Sequence, residues 1–197
     1  PRMNALGRLG DANPLVEFLL STNEDFIKKT ALHLEELNSR RKLAVEMVYR
    51  SALDLLDRDP TINQYPVILL AKTGWESGVV GIAASKLVEQ FHKPVILMNI
   101  DDEIAAGSAR SVEGINIIQA IQENANLLIR FGGHPMAAGL SLNVLDLPRF
   151  REALSSSIDA QTAGAELEPS LEIDAYLTFS SLKAELIDEI DRLAPFG

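Results

Sequence analysis

PVILLAKTGWESGVVGIAASKLVEQFHKPVILM, residues 66–98, is the stretch that decides the fold. Within it, residues 66–71 and 94–98 are unbroken apolar runs, which are typical of strands buried on both faces. Residues 79–91 between them favour a helix. A strand, a helix and a second strand in this order predict a βαβ crossover, so we expect the two strands to be parallel.

The stretches on either side extend this unit. Upstream, Thr22 or Asn23 can cap a helix that covers residues 24–57 and ends at Asp59-Pro60. Downstream, the chain alternates between strand-like and helix-like stretches, namely strands over residues 103–109 and 138–142 and helices over residues 115–128 and 148–158. The sequence therefore predicts an α/β fold with a mixed, largely parallel sheet flanked by helices and preceded by a long connecting helix.

The long upstream helix carries its apolar residues on one seam, and two polar residues, Asn38 and Arg41, fall on that seam too. Buried polar groups need partners. Either the middle of the helix faces a polar site or another domain, or it is a solvated part of a connecting helix. Before this helix, residues 1–10 read as a loop and residues 14–20 as a short helix.

Composition narrows the class of protein. The 197 residues are 47% hydrophobic and 23% charged, which suits an ordinary globular protein. The chain has no cysteine, hence no disulfide or thiolate metal site, and no apolar run of membrane-spanning length. We therefore expect no membrane partner and a cytoplasmic location.

The net charge of −10 argues against a broad basic surface. Its distribution is uneven, since residues 159–197 hold nine acids and two bases, a net −7, which leaves −3 for residues 1–158. A small local basic site in the first four fifths of the chain is therefore compatible with the composition.

One candidate binding site is the glycine-rich stretch 130–139, RFGGHPMAAG. Gly132 and Gly133 can adopt positive φ and turn their N–H groups toward one point, and His134 can donate to the same ligand. The alternative is a tight turn before a strand, in which the small residues serve only packing. These residues alone support ligand binding and a packing turn equally.

A second candidate lies at the end of the predicted strand 103–109. Arg110 stands between the hydroxyls of Ser108 and Ser111, a composition suited to holding a phosphate by charge-assisted hydrogen bonds. An exposed arginine at a strand end is the competing explanation. The start of the crossover helix is a further anion-binding position, but the carboxylate of Glu76 would repel an anion there.

Catalytic motifs are missing from the chain. His33, His92 and His134 lie far apart, and none has a metal-ligand spacing with another histidine or an acid. There is no nucleophile elbow, Walker loop or dinucleotide fingerprint. The residues indicate an anion-binding α/β module with no catalytic and no metal-binding residue of its own.

Several stretches resemble a known family. Residues 132–139, GGHPMAAG, are similar to the Gly-Gly-His-x-x-Ala-Ala-Gly signature of the DHH-associated substrate-binding (DHHA1) domain, and residues 107–111, GSARS, resemble its Gly-Ser-x-Arg-Ser turn. The segments on either side resemble other parts of the family. Residues 1–9 resemble the last motif of the catalytic domain, residues 37–41 the interdomain helix and residues 193–197 the start of the OB-type domain. Because these stretches follow the family's order over nearly the whole chain, the sequence resembles the RecJ branch of the DHH phosphoesterase superfamily.

The resemblance implies how the chain is organised. Residues 1–22 would be the C-terminal end of the DHH catalytic domain and residues 23–59 the interdomain helix. Residues 60–163 would form the DHHA1 substrate-binding domain, and residues 164–197 would begin an OB-type domain. The chain starts without an initiator Met, and we expect it to be a piece of a longer protein.

The resemblance also implies an activity, single-stranded DNA 5′→3′ exonuclease, acting in DNA repair and recombination. Mn²⁺ or Mg²⁺ would be bound by a domain N-terminal to residue 1, since the Asp-His-His tripeptide of the family is absent here, and this fragment alone would be inactive. The implied substrate contacts are Arg110, Ser111, Gly132, Gly133 and His134 for phosphate, with Asn4 and Arg8 bordering the catalytic side.

The chain departs from the family at one point, and other functions fit the same motifs. Family members have Trp-His-x-Gly-Val at the start of the crossover helix, whereas this chain has Trp75-Glu76-Ser77-Gly78-Val79. The alternatives are a DHH-type phosphodiesterase acting on short oligonucleotides or cyclic dinucleotides, and a non-catalytic nucleic-acid-binding module.

Overall fold

A computed structural model describes residues 2–162, 173 and 175–194. The chain divides into two compact units, Pro1–Leu167 and Glu168–Gly197. The sequence also predicts a linker over residues 161–166 and a strand over residues 171–176. Residues 161 and 162 instead end the helix Leu147–Thr162, and the rest of the linker and most of the strand lie outside the described residues. In the second unit, the acidic amphipathic pattern of residues 182–193 predicts a helix, and a helix is present over Ala184–Asp191.

The first unit contains helices and strands that we number in chain order. The helices are α1 (Arg2–Leu9), α2 (Pro14–Leu20), α3 (Glu24–Arg58), α4 (Val80–Phe91), α5 (Ile117–Glu123) and α6 (Leu147–Thr162). The strands are β1 (Ile68–Thr73), β2 (Val95–Asp101), β3 (Ile104–Arg110), β4 (Arg130–His134) and β5 (Ala137–Asn143). No helix among the described residues is long and apolar enough to span a membrane.

The strands form one five-stranded sheet in the order β1-β2-β3-β5-β4. The predicted βαβ unit is confirmed, because β1 and β2 are parallel and α4 connects them. The prediction of a largely parallel sheet is wrong, since β2–β3, β3–β5 and β4–β5 are antiparallel. Two of these pairs are hairpins whose two-residue turns leave no room for the crossover that a parallel pair needs.

Alternation of side chains along the strands gives the sheet two different faces. One face packs on α5 and α6 in an apolar cluster that includes Leu69, Met98, Leu142 and Phe150. The opposite face of β1 and β2 packs on α4 and α3 through residues such as Leu70 and Leu97. On the β3, β5 and β4 side of this second face, the residues are mostly small and exposed. The sheet thus offers an open surface beside α4.

The upstream helices are joined to this unit. Residues 2–9 form helix α1, so the prediction of a loop over residues 1–10 is wrong, and α1 buries Ala5 and Leu6. Packing against α3 outweighs the weak helix propensity of this Gly-containing stretch. On α3, Asn38 is buried and accepts a hydrogen bond from Arg41 at 3.2 Å. Asn38 is therefore a packed polar position, whereas most residues of α3 between 35 and 43 are exposed.

Candidate functional site

Strand register brings three rows of residues to the open face of the sheet. Directly paired residues of neighbouring strands point to the same face. The central row is Ser108, Gly139 and Gly132; on one side of it lie Arg110, Ala137 and His134, and on the other lie Ala106, Ser141 and Arg130. We call these nine residues the platform. Its middle is small and uncharged, and cationic or ionisable side chains stand at both ends.

The two glycines in the central row are not required by the fold. A Cβ added to Gly132 would meet no atom within 4 Å, and one added to Gly139 would meet only the carbonyl oxygen of Gly107, at 3.9 Å. Neither has the positive φ that favours glycine. Space above the sheet is therefore left empty at these two positions, which allows a ligand to approach the backbone closely.

Gly133 differs from its neighbour Gly132. A Cβ at residue 133 would lie 2.3 Å from the carbonyl oxygen of Ala137 and 2.5 Å from Cα of Ala138, so only glycine fits there. Both glycines lie within β4, and the hairpin turn is made by Pro135 and Met136. The predicted glycine turn is therefore wrong, and the open surface, not a nest of N–H groups, is what these glycines provide.

Arg110 ends β3 and lies partly buried against α4. A Cβ at Gly81 would come within 2.7 Å of Nη2 of Arg110, so the missing side chain of α4 makes room for the guanidinium. Nη1 of Arg110 donates to the carbonyl oxygen of Ala109 at 2.7 Å. Burial lowers the pKa of Arg110, and the neighbouring positive charge of Arg8 lowers it further. A partly buried cation with a second, exposed cation beside it forms a site that an anion would stabilise.

Arg8 reaches this position because the end of α1 packs on the turn before α4. A Cβ at Gly78 would lie 1.9 Å from the carbonyl oxygen of Arg8, and Nη1 of Arg8 donates to the carbonyl oxygen of Gly78 at 3.4 Å. Asn4 is exposed one helical turn earlier on the same side of α1. The predicted border residues Asn4 and Arg8 thus lie on one helix face, and Arg8 adjoins Arg110.

Two other predicted contacts have different surroundings. His134 is exposed and occupies the same row as Arg110, with Ala137 of β5 between them. At a strand spacing of about 4.8 Å, their Cα atoms are about 10 Å apart, which leaves room for an anion between the two side chains. Ser111 is buried, and its hydroxyl donates to the carbonyl oxygen of Ile115 at 2.8 Å. Ser111 therefore fixes the strand end and does not point a free hydroxyl at a ligand.

Glu76, the departure from the family pattern, is paired with the long helix. Its carboxylate lies 3.7 Å from Nη2 of Arg40 on α3. The neighbouring Trp75 is buried, and its indole N–H donates to the Ser51 hydroxyl at 3.2 Å. The charge that would repel an anion at the start of α4 is thus partly balanced, and this turn serves to connect α4 with α3.

A cleft of about 420 Å³ opens on the platform at the end away from Arg110. Its lining includes Ser77, Ser108, Arg130 and Ser141. The sequence interpretation assigned no role to Arg130 or Ser141. The signal was present as a period of two, because Arg130, Gly132 and His134 alternate along β4 while Ala137, Gly139 and Ser141 alternate along β5.

The described residues contain no group of three or more His, Asp or Glu residues that could hold a metal ion. The donors that Mn²⁺ or Mg²⁺ prefers, carboxylate oxygens arranged around one point, are not assembled on the platform. The described part of the chain therefore offers hydrogen-bond donors and positive charge to a ligand, but no metal centre.

The architecture and the platform are those of a known domain. Residues 64–160 match the family model of the DHHA1 domain. This range runs from the residues before β1 to the last turns of α6 and contains the whole sheet, so the sheet, its covering helices and the platform constitute a DHHA1 domain.

Over its full length the chain is similar to RecJ proteins. It is 38% identical to the single-stranded-DNA-specific exonuclease RecJ of Bacillus subtilis over 199 residues, which covers 100% of this chain and 25% of that protein. It is 30% identical to the RecJ of Escherichia coli over 204 residues, covering 100% of this chain and 35% of that protein. These matches support a RecJ fragment, since the chain spans about a quarter to a third of the length of these relatives.

Solved structures agree with this assignment. The crystal structure of RecJ from Thermus thermophilus in complex with Mn²⁺ matches with a TM-score of 0.81 at 26% identity, over 100% of this chain and 28% of that one. The structure of the same protein with Mg²⁺ matches with a TM-score of 0.82 at 27% identity, over 100% of this chain and 30% of that one. Helices α1 to α3 and the DHHA1 domain thus match parts of one and the same RecJ chain.

Proposed function

We propose that this chain is the substrate-binding part of a metal-dependent single-stranded DNA 5′→3′ exonuclease, acting in the cytoplasm in DNA repair and recombination. The platform binds the phosphates of the DNA strand. Residues 1–22 end the catalytic domain, residues 23–59 connect it to the substrate-binding domain at residues 60–163, and residues 164–197 begin an OB-type domain. Mn²⁺ or Mg²⁺, bound by the catalytic domain, supplies the activated water that cleaves the phosphodiester bond.

One observation carries this proposal: Gly132 and Gly139 lie side by side on the platform, and a Cβ added to either would meet no atom closer than 3.9 Å. Neither packing nor backbone conformation requires glycine at either position. The empty space above these two glycines suits the close approach of a sugar-phosphate backbone. Arg110 and His134 beside it can form hydrogen bonds with the negatively charged phosphates.

Arg110 and Arg8 give the site its preference for phosphate. Burial of Arg110 and the nearby positive charge of Arg8 make the free site unfavourable, and a bound phosphate relieves the repulsion while accepting charge-assisted hydrogen bonds. The absence of a side chain at Gly81 leaves room for the Arg110 guanidinium at the end of β3. Ser111 contributes indirectly, because its hydrogen bond to Ile115 and that of its backbone N–H to the Met136 carbonyl oxygen join the end of β3 to the β4–β5 turn.

The proposal is tested in the full-length protein by Arg110→Ala and His134→Ala. One lost hydrogen bond to a charged group costs about 1.5–3 kcal/mol, so we expect each variant to lower kcat/KM on single-stranded DNA by about 10- to 150-fold. The measurement is Mn²⁺-dependent release of nucleotides from end-labelled single strands, together with thermal unfolding to verify that both variants fold.

Arg149→Ala is the matched control, because Arg149 is an exposed arginine on α6, which packs on the opposite face of the sheet. It should leave kcat/KM unchanged. Wild-type turnover in both Arg110→Ala and His134→Ala would refute the proposal. A protein that cleaves dinucleotides or cyclic dinucleotides but not longer strands would show that the platform serves a short-substrate phosphodiesterase instead.

A further inference from the structure

The row of the platform that contains Arg130 lies outside the proposed phosphate site at Arg110 and His134. Arg130 is exposed at the start of β4, and its guanidinium makes no hydrogen bond or ion pair with the residues that the structure describes. Together with Ser108 and Ser141 it lines the cleft of about 420 Å³. A guanidinium with all its donors available beside two hydroxyls has the chemistry of a phosphate site.

Ser141 adds an independent observation. It is only 5% exposed, and its hydroxyl has no hydrogen-bond partner among the described residues. An unpaired buried hydroxyl is costly unless a ligand or a water supplies the missing bond. Its residue lines the cleft, opposite Arg130 in the strand register, so a ligand in the cleft is placed to satisfy it.

The separation of the two cationic rows fits one strand of DNA. Arg110 pairs with Ala137, and Ala106 pairs with Ser141, so the rows are four residues apart along β3 and β5. At about 3.4 Å per residue this is about 14 Å, or two internucleotide steps of an extended strand. The uncharged central row of Ser108, Gly139 and Gly132 lies between them and accommodates the intervening linkage.

Negative charge beyond the row of Arg130 limits how far the DNA strand can extend over the platform. Beyond Arg130, the end of β2 and the following two-residue turn present three exposed acids, Asp101, Asp102 and Glu103, and Asp101 lies on the platform side of the sheet. These carboxylates repel a further phosphate. The positively charged part of the platform therefore extends from Arg110 to Arg130 and ends there.

We propose that Arg130, with the hydroxyls of Ser108 and Ser141, forms a second phosphate-binding position on the platform, two linkages along the strand from the phosphate at Arg110 and His134. This inference rests on the proposed function, since it places the same DNA strand on the same sheet face. The DNA backbone would occupy the cleft. Because only a strand long enough to reach both positions contacts Arg130, this residue would favour longer substrates.

The test uses the full-length protein in EDTA and a set of fluorescent single-stranded oligonucleotides, each with one uncharged methylphosphonate linkage at a different position. Binding of wild-type protein should be weakened at two linkages, separated by two steps. Arg130→Gln should abolish the sensitivity at one of them and Arg110→Ala the sensitivity at the other. Arg130→Lys, which keeps the charge, should restore part of the loss.

Salt dependence provides a second readout. Each phosphate contact to a single strand contributes about 0.7 to the slope of log K against log salt concentration, so Arg130→Gln should lower that slope by about 0.7. The second site alone would be overturned if Arg130→Gln still bound more weakly to oligonucleotides with a methylphosphonate at each of the two linkages. It would also be overturned if the two sensitive linkages were not two steps apart. If no linkage is sensitive in the wild type and Arg110→Ala binds normally, the proposed function itself fails.

Discussion

The carbonyl oxygen of Arg8 lies directly against Cα of Gly78, so that a methyl group at residue 78 would come within 1.9 Å of that oxygen. This contact fixes the C-terminal end of α1 to the turn before α4. It also sets the position of the Arg8 guanidinium, whose charge acts on Arg110. The geometry of the proposed phosphate site thus depends on a contact between backbone atoms 70 residues apart.

Gly78→Ala should separate α1 from the DHHA1 domain. The atom that it would meet belongs to the backbone and cannot rotate away, so we expect a destabilisation of about 1–3 kcal/mol and weaker DNA binding through displacement of Arg8. Denaturant unfolding and DNA binding by the full-length protein measure both effects. Gly10→Ala is the control, because its added methyl would meet only the Leu6 carbonyl oxygen, at 3.8 Å. Equal stability of Gly78→Ala and Gly10→Ala would contradict the prediction.

Gly81→Ala should affect binding more than stability. Its methyl group would come within 2.7 Å of Nη2 of Arg110, the far end of a flexible side chain, and within 3.3 Å of Cβ of Ser108. The guanidinium can move away, so we expect an unfolding free energy within about 1 kcal/mol of wild type. DNA binding should weaken several-fold, because Arg110 leaves its position. Unchanged affinity in a folded Gly81→Ala protein would show that the exact place of this guanidinium is unimportant.

The sequence predicted the parts of the fold that depend on local pattern. The apolar runs around Leu69 and Ile96 and the helix between them appear as β1, β2 and α4, because both runs are buried on two faces. The antiparallel half was missed for a physical reason. β4 is an exposed edge strand that contains two glycines, so it lacks the apolar and β-branched residues by which a strand is recognised. Without it, the hairpin looked like a turn.

The candidate site was predicted in part. Arg110 and His134 were named from separate motifs, and pairing of each with Ala137 brings them into one row. The role of Ser111 depends on a hydrogen bond to Ile115 that no spacing reveals, and the position of Arg8 depends on helix packing. Arg130 was overlooked because its relation to Ser141 exists only once the strand register is fixed.

Gly132→Val should separate folding from binding most clearly. Valine favours strands, a Cβ at residue 132 meets no atom within 4 Å, and β-propensities differ by up to about 1 kcal/mol, so we expect equal or higher stability than wild type. The added methyl groups would occupy the space above the central row and block the DNA backbone, lowering kcat/KM on single-stranded DNA at least tenfold. Thermal unfolding and nuclease rates of the full-length protein measure the two effects.

The neighbouring position supplies the contrast for this experiment. Gly133→Ala places a methyl group 2.3 Å from the Ala137 carbonyl oxygen and should destabilise the β4–β5 hairpin, so its loss of activity should accompany a loss of stability. Gly132→Val should lose activity alone. A stable Gly132→Val protein with wild-type activity would mean that the space above Gly132 and Gly139 does not receive the substrate, and the main argument for phosphate binding on this face would fail.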